Sequence, residues 1–155
     1  MLPTAQDVVD GGRWLNAHAG PDDVIAVNRY CVQTRAWRAG RARCDAREFS
    51  PSAFSQRRSY VGGWAYADRN LALAWISPPP YRKIPFWDQP RLDRQEEAFR
   101  TPTADVLAAL YRDGVRWLWA DVRDGPVATD RLDRLADVRY SGPNLRIWQM
   151  RPPTR

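Results

Sequence analysis

The segment Val115-Arg116-Trp117-Leu118-Trp119-Ala120-Asp121 puts Trp117 and Trp119 on one side of an extended chain and Leu118 and Ala120 on the other, because successive strand side chains point to opposite faces. A strand that is apolar on both faces must be covered on both. The segment therefore predicts the central strand of a sheet with helices or loops packed above and below it.

The rest of the chain supplies neighbours for that strand. Val24-Ile25-Ala26-Val27 is a short β-branched run and predicts a second buried strand. Ahead of it, Val8, Val9, Gly12 and Leu15 share one face of a helix over 7–18, which Gly20-Pro21 stops. Ser59-Tyr60-Val61-Gly62-Gly63-Trp64-Ala65-Tyr66 reads as a further strand, whose paired glycines call for a bulge or a close backbone approach. Residues 67–100 are the least regular stretch, with Pro78-Pro79-Pro80 and Pro85 among Trp75, Tyr81, Phe86 and Trp87, and with a short amphipathic helix over 92–99. A loop of that length is either functional or packed over something.

Thr101-Pro102 predicts a helix start, with the threonine as N-cap and Asp105 near the positive end of the dipole. Val106, Leu107, Leu110 and Tyr111 form its buried stripe, and Gly114 suits its C-terminal cap. A short helix over 129–135 follows, then a hairpin in which Ser141-Gly142-Pro143-Asn144 turns between 137–140 and 145–150. The expected fold is α/β (mixed α+β): a single sheet of about five strands with helices packed on it and a C-terminal hairpin. The 155 residues suffice for one core, so the expectation is one domain over 1–150 and a frayed Pro-rich tail over 151–155.

Charge is distributed unevenly. Arg29, Arg35, Arg38, Arg41, Arg43, Arg47, Arg57 and Arg58 fall within thirty residues that hold only Asp45 and Glu48 as acids, so this window carries the whole net charge of +6. Lys83 is the lone lysine beside 23 arginines, which reads as the mark of a GC-rich genome rather than of guanidinium chemistry. Cys31 and Cys44 lie in the same window. A disulfide between them would close a loop with little hydrophobic content and contribute roughly 3 kcal/mol. It would also hold Arg35, Arg38, Arg41, Arg43 and Arg47 together, an arrangement suited to phosphate or anionic headgroups. Two alternatives stay open: a merely solvated basic loop, and reduced cysteines in a cytoplasmic domain.

No residue set spells out a reaction or calls for a cofactor. His18, Cys31 and Cys44 lack metal-ligand spacing, no serine sits in a nucleophile elbow, and Gly62-Gly63 lacks the rest of a phosphate loop. Asp121 and Asp124 follow the central strand, where sites of α/β proteins often lie. Their simpler reading is turn capping or pairing with Arg116 or Arg123, and Glu96-Glu97 reads as a solvated helix face. No apolar run approaches the ~20 residues that span a bilayer, and the N-terminus has no leader-like region. The expectation is a piece of a longer protein whose upstream membrane segments put it outside.

Arg13-Trp14-Leu15, the run from Val24 to Arg29 with Cys31, Cys44-Asp45-Ala46-Arg47-Glu48-Phe49 with Ser52-Ala53, Arg57-Arg58, Gly63-Trp64-Ala65-Tyr66 and Gly114-Val115-Arg116-Trp117-Leu118 with its terminal hairpin together resemble the C-terminal extracytoplasmic domain of large polytopic membrane proteins of actinobacteria. Those proteins look like GT-C-type glycosyltransferases. The resemblance covers nearly the full chain, and its most specific parts are Cys-Asp-Ala-Arg and Gly-Trp-Ala-Tyr. It implies the fold, a place on the outer face of the plasma membrane and a Cys31–Cys44 pairing.

No catalytic residue carries over, because the catalytic acid of such enzymes lies on a loop between transmembrane helices. The implied role is an accessory domain, non-catalytic alone, that covers or orients a lipid-phosphate-linked sugar or acceptor glycan. Its implied partners are anionic lipid headgroups or polyprenyl-phosphate sugar and a membrane-embedded half. The rivals are a freestanding arginine-rich module for nucleic acid and an independent hydrolase, which would need a pocket joining Asp121 or Asp124 to a second acid or a nucleophile.

Overall fold

The computed structural model describes residues 4–32, 44–74 and 81–154. Its strands are β1 (Val24–Val27), β2 (Arg58–Ser59), β3 (Val115–Asp121), β4 (Asp137–Ser141) and β5 (Leu145–Gln149). They form one five-stranded sheet in the order β2-β1-β3-β5-β4. β1 runs parallel to both β2 and β3, while β5 is antiparallel to β3 and to β4. The helices are α1 (Gln6–His18), α2 (Ser50–Ser55), α3 (Asp68–Ala74), α4 (Gln89–Arg100), α5 (Ala104–Arg112) and α6 (Thr129–Leu135), with a 3₁₀ turn at Tyr81–Lys83.

Both faces of β3 are covered, as its alternation requires. Trp117 and Trp119 pack with Ile25, Val27, Leu145 and Ile147 against Val8 and Leu15 of α1, with Phe54 of α2 at the margin. Leu118 and Ala120 pack with Ala26 and Trp148 against Leu92 and Phe99 of α4, Leu107 and Leu110 of α5, and Leu132 of α6. Two of the buried indoles have polar partners: Trp117 Nε1 donates to Asp23 Oδ2 at 2.8 Å and Trp148 Nε1 to Asp133 Oδ1 at 2.7 Å. The mixed sheet with helices on both sides and the terminal hairpin is the fold that the residue pattern calls for.

Several local expectations need correction. Of the segment 59–66 only Ser59 joins the sheet, as the second residue of β2. Beyond it the backbone finds other partners: the fully buried Gln95 side chain accepts from Val61 N at 3.0 Å and donates to Val61 O at 2.8 Å. Gly63 N and Ala65 N then donate to Glu48 O and Ala46 O, both at 3.1 Å. A Cβ on Gly63 would lie 2.6 Å from Glu48 O, so this is the close backbone approach and not a bulge.

Thr101 ends α4 rather than starting α5, since α4 continues through Arg100 and Thr101 N donates to Glu97 O at 2.9 Å. The N-cap of α5 is Thr103, whose Oγ1 accepts from Val106 N at 3.2 Å. The basic window also contains a helix, α2, which is too short to show an apolar stripe in sequence. It packs where α1 has no side chain, as a Cβ on Gly12 would lie 2.3 Å from Phe54 Cβ. Among the described residues no helix is long and apolar enough to cross a membrane.

Candidate functional site

The chain leaves β1 toward β2 on one side, and the connection after β3 builds β4 and β5 on the other. The carboxyl ends of the adjacent parallel strands β1 and β3 thus flank a topological switch point, the crevice where open α/β sheets hold ligands. Asn28, the first residue after β1, laces it. Its Oδ1 accepts from Asp121 N at 2.8 Å, and its Nδ2 donates to Asp121 O at 2.8 Å and Asp124 O at 2.9 Å.

Beneath Asn28 runs a buried ionic chain. Arg29 donates from NH1 to Asp121 Oδ2 at 3.2 Å and pairs through NH2 with Glu48 Oε2 at 3.0 Å. Asp121 also accepts from Arg123, from Nε to Oδ1 at 2.9 Å and from NH2 to Oδ2 at 2.7 Å. These hydrogen bonds hold the Arg123 guanidinium pKa above its ordinary value, against the opposing effect of burial. Asp121 and Arg29 are 3% and 7% exposed. Two charges so far from water cost several kcal/mol unless paired and hydrogen-bonded, and here both are. Asp121 therefore pairs with Arg123, as the simpler reading has it, while Arg116 stacks on Tyr111 instead, 3.8 Å from the ring centre.

Next to this chain a cleft of about 30 Å³ opens, lined by Asn28 and Asp124 from the strand ends, by Tyr30 and Cys31, by Glu96, Phe99 and Arg100 of α4, and by Gly125 and Pro126. Tyr30 OH donates to Glu96 Oε1, and Arg100 NH1 donates to Glu96 Oε2 at 3.3 Å. Glu96 is thus not on a solvated face: its side chain is 12% exposed, whereas Glu97 is exposed. The cleft combines an apolar floor of Cys31, Phe99 and Pro126 with hydrogen-bonding groups of both signs. Its volume is that of a water or two.

Cys31 and Cys44 are disulfide-bonded, with Cα atoms 5.3 Å apart. Both are 1% exposed and belong to the larger core layer, so the bond is an internal staple and also one wall of the cleft.

The remaining arginines of the basic window serve different ends. Arg47 forks onto the buried Asp45, from Nε at 2.8 Å and from NH2 at 2.7 Å. That ion pair lowers the Asp45 pKa despite burial. Arg57 clamps the end of α1, donating to Asn16 O at 3.0 Å and Ala19 O at 2.8 Å. Arg58 is exposed at β2. Arg35, Arg38, Arg41 and Arg43 lie outside the described residues.

His18 is exposed, stacks on Trp14 with ring centres 4.2 Å apart, and shares a hydrogen bond with Trp14 O through Nδ1. No group of three or more His, Cys, Asp or Glu side chains is placed to hold a metal ion among the described residues. Sequence reasoning missed Arg29 as a buried ion-pair partner and Glu96 as a cleft residue. The available signal for Glu96 was its helical spacing from Leu92 and Phe99, which places it beside the buried stripe.

Comparison with family models, with curated proteins and with solved structures finds no match to this chain.

Proposed function

We propose that this chain is an extracytoplasmic accessory domain, non-catalytic alone, of a GT-C-like membrane glycosyltransferase. In this reading it covers or orients a lipid-phosphate-linked sugar or acceptor glycan at the membrane surface. The observation that carries the proposal is the Cys31–Cys44 disulfide, buried in the core beside the cleft. Disulfides persist in oxidising compartments and are rare in the cytosol. The residue motifs that resemble the extracytoplasmic domains of such enzymes support the same reading, and so does the concentration of arginine between the two cysteines.

The test is binding of polyprenyl phosphate in detergent micelles by protein exported to an oxidising compartment. Wild type should bind, and Arg38→Glu with Arg41→Glu should remove binding, since each arginine near an anionic surface contributes on the order of 1 kcal/mol. Equal binding by both proteins, or tighter binding of RNA at the same ionic strength, would overturn the proposal.

One observation favours a second reading, an independent hydrolase: Asp124, Glu96 and Tyr30 all line the cleft, and carboxyl groups are among the side chains used in acid–base catalysis. Turnover of a chromogenic ester or glycoside that is lost in Glu96→Gln, with the fold intact, would establish it. Its absence across such substrates would remove it.

A further inference from the structure

Where the sheet ends at β2, an open groove of about 560 Å³ lies among that strand, α2 and the Gly62-Gly63 backbone. Its lining holds Arg57 and Arg58 and no aspartate or glutamate. Neither arginine meets a carboxylate. Arg57 donates to Asn16 Oδ1 at 3.1 Å, to Asn16 O at 3.0 Å, to Ala19 O at 2.8 Å and to Gln56 O at 3.1 Å, all of them neutral oxygens. Arg58 is exposed, and among the described residues its guanidinium has no hydrogen-bond or ion-pair partner. Arg29 and Arg47 of the same basic window sit on carboxylates instead. Glu48, ahead of α2, is held by Arg29 at 3.0 Å, and Asp23, ahead of β1, accepts from Gly20 N at 2.9 Å and Trp117 Nε1 at 2.8 Å.

The other polar groups of the groove add donors. Gly62 has no side chain to cover its N–H, which has no hydrogen-bond partner among the described residues. Ser52 and Ser59 share a hydrogen bond between their hydroxyls at 2.7 Å. That bond uses one hydroxyl proton and leaves the other to give.

We infer that this groove binds a phosphate monoester, with Arg58 and the Gly62 N–H as its contacts and the clamped Arg57 as a second, fixed cation. Such a group carries about two negative charges near neutrality and three strong acceptor oxygens. Two guanidinium groups with no carboxylate against them, together with neutral donors, are its complement. The volume is that of a small-molecule site rather than of a bare anion, so the carbon skeleton of the ester has room beside Phe49, whose ring stacks on Tyr66 at 5.5 Å. The site is separate from the arginines between Cys31 and Cys44 and stands or falls apart from the accessory-domain reading.

The experiment follows the backbone amide of Gly62 by nuclear magnetic resonance in the full chain. Glycerol phosphate and inorganic phosphate should each shift it saturably, and sodium chloride at matched ionic strength should not. Arg58→Ala should weaken binding of glycerol phosphate at least about tenfold with the thermal midpoint unchanged. Arg139→Ala, on the opposite edge strand β4, should bind like wild type. Co-sedimentation with phosphatidylcholine vesicles containing phosphatidic acid separates two sources of the same chemistry. Pelleting of wild type but not of Arg58→Ala assigns the phosphate to a lipid headgroup, and binding of glycerol phosphate without pelleting assigns it to a free ester. A Gly62 amide that neither phosphate moves, an equal shift in chloride, or an Arg58→Ala protein that binds like wild type would overturn the site.

Discussion

Asp7 in the first turn of α1 and Asn144 in the turn of the β4–β5 hairpin are joined twice: Asp7 Oδ2 accepts from Asn144 N at 2.6 Å and Oδ1 from Asn144 Nδ2 at 3.0 Å. Leu145 N donates to the same Oδ2 at 3.1 Å. One carboxylate thus ties the first helix to the last turn of the sheet. Removing it would leave these donors unmatched, so Asp7→Ala should destabilise by about 1–3 kcal/mol in denaturant unfolding.

The same contact gives a pH dependence. Burial pushes the Asp7 carboxyl upward, but hydrogen bonds from the Asn144 side chain and from the backbone of Asn144 and Leu145 outweigh it and hold its pKa below the ordinary value. A group depressed in the folded state stabilises fully above its unfolded pKa of ~3.9 and loses that contribution as pH falls through the folded value. Wild type and Asp7→Ala should therefore differ most near neutrality and converge in acid. Unfolding midpoints across that range would show a constant gap if the reading were wrong.

The central strand offers a test of the layered core. Trp117 is 3% exposed and Leu118 fully buried, on opposite sides of β3. Trp117→Ala and Leu118→Ala should each cost roughly 2–5 kcal/mol. A silent Trp117→Ala in calorimetry would mean that α1 does not cover that face.

The alternation at β3, the β-branched run of β1, and the hairpin with its Ser-Gly-Pro-Asn turn were legible in sequence because each follows from a local pattern of period or turn chemistry. What was not legible depended on partners far along the chain. Val61 is drawn out of the sheet by Gln95, thirty-four residues later, and nothing near Val61 signals this. Arg29 looks like its neighbours in the basic window, yet it is buried because Glu48 and Asp121 come to meet it. For the candidate site, the strand-end aspartates were visible, whereas the spacing of Glu96 from Leu92 and Phe99 placed it beside the buried stripe without revealing its long-range bond from Tyr30.

The disulfide should contribute measurably to stability. Cys31 and Cys44 stand 13 apart in sequence, and closing a loop of that size restricts the unfolded chain by about 3 kcal/mol. Cys31→Ala/Cys44→Ala should lower the denaturation midpoint accordingly, and reductant should shift wild type toward the double variant while leaving that variant unchanged. Identical midpoints for the two proteins in oxidising buffer would show that the staple stabilises nothing.

Arg29 should be less replaceable than any exposed arginine. Its guanidinium bridges Glu48 and Asp121, and its side chain is only 8% exposed, so Arg29→Ala strips a partner from two carboxylates that have little access to water. Breaking a buried pair on one side typically costs 3–5 kcal/mol, about as much as truncating a core residue. The lower part of that range is expected, because Asp121 keeps Arg123 and Glu48 keeps the bond from Ser50 N at 3.1 Å. Arg58→Ala, at an exposed position, should change stability by less than about 0.5 kcal/mol. A thermodynamic cycle of Arg29→Ala with Asp121→Asn reads the coupling directly: the double variant should cost clearly less than the two single changes added together, and simple additivity would show that the pair does not act as a unit.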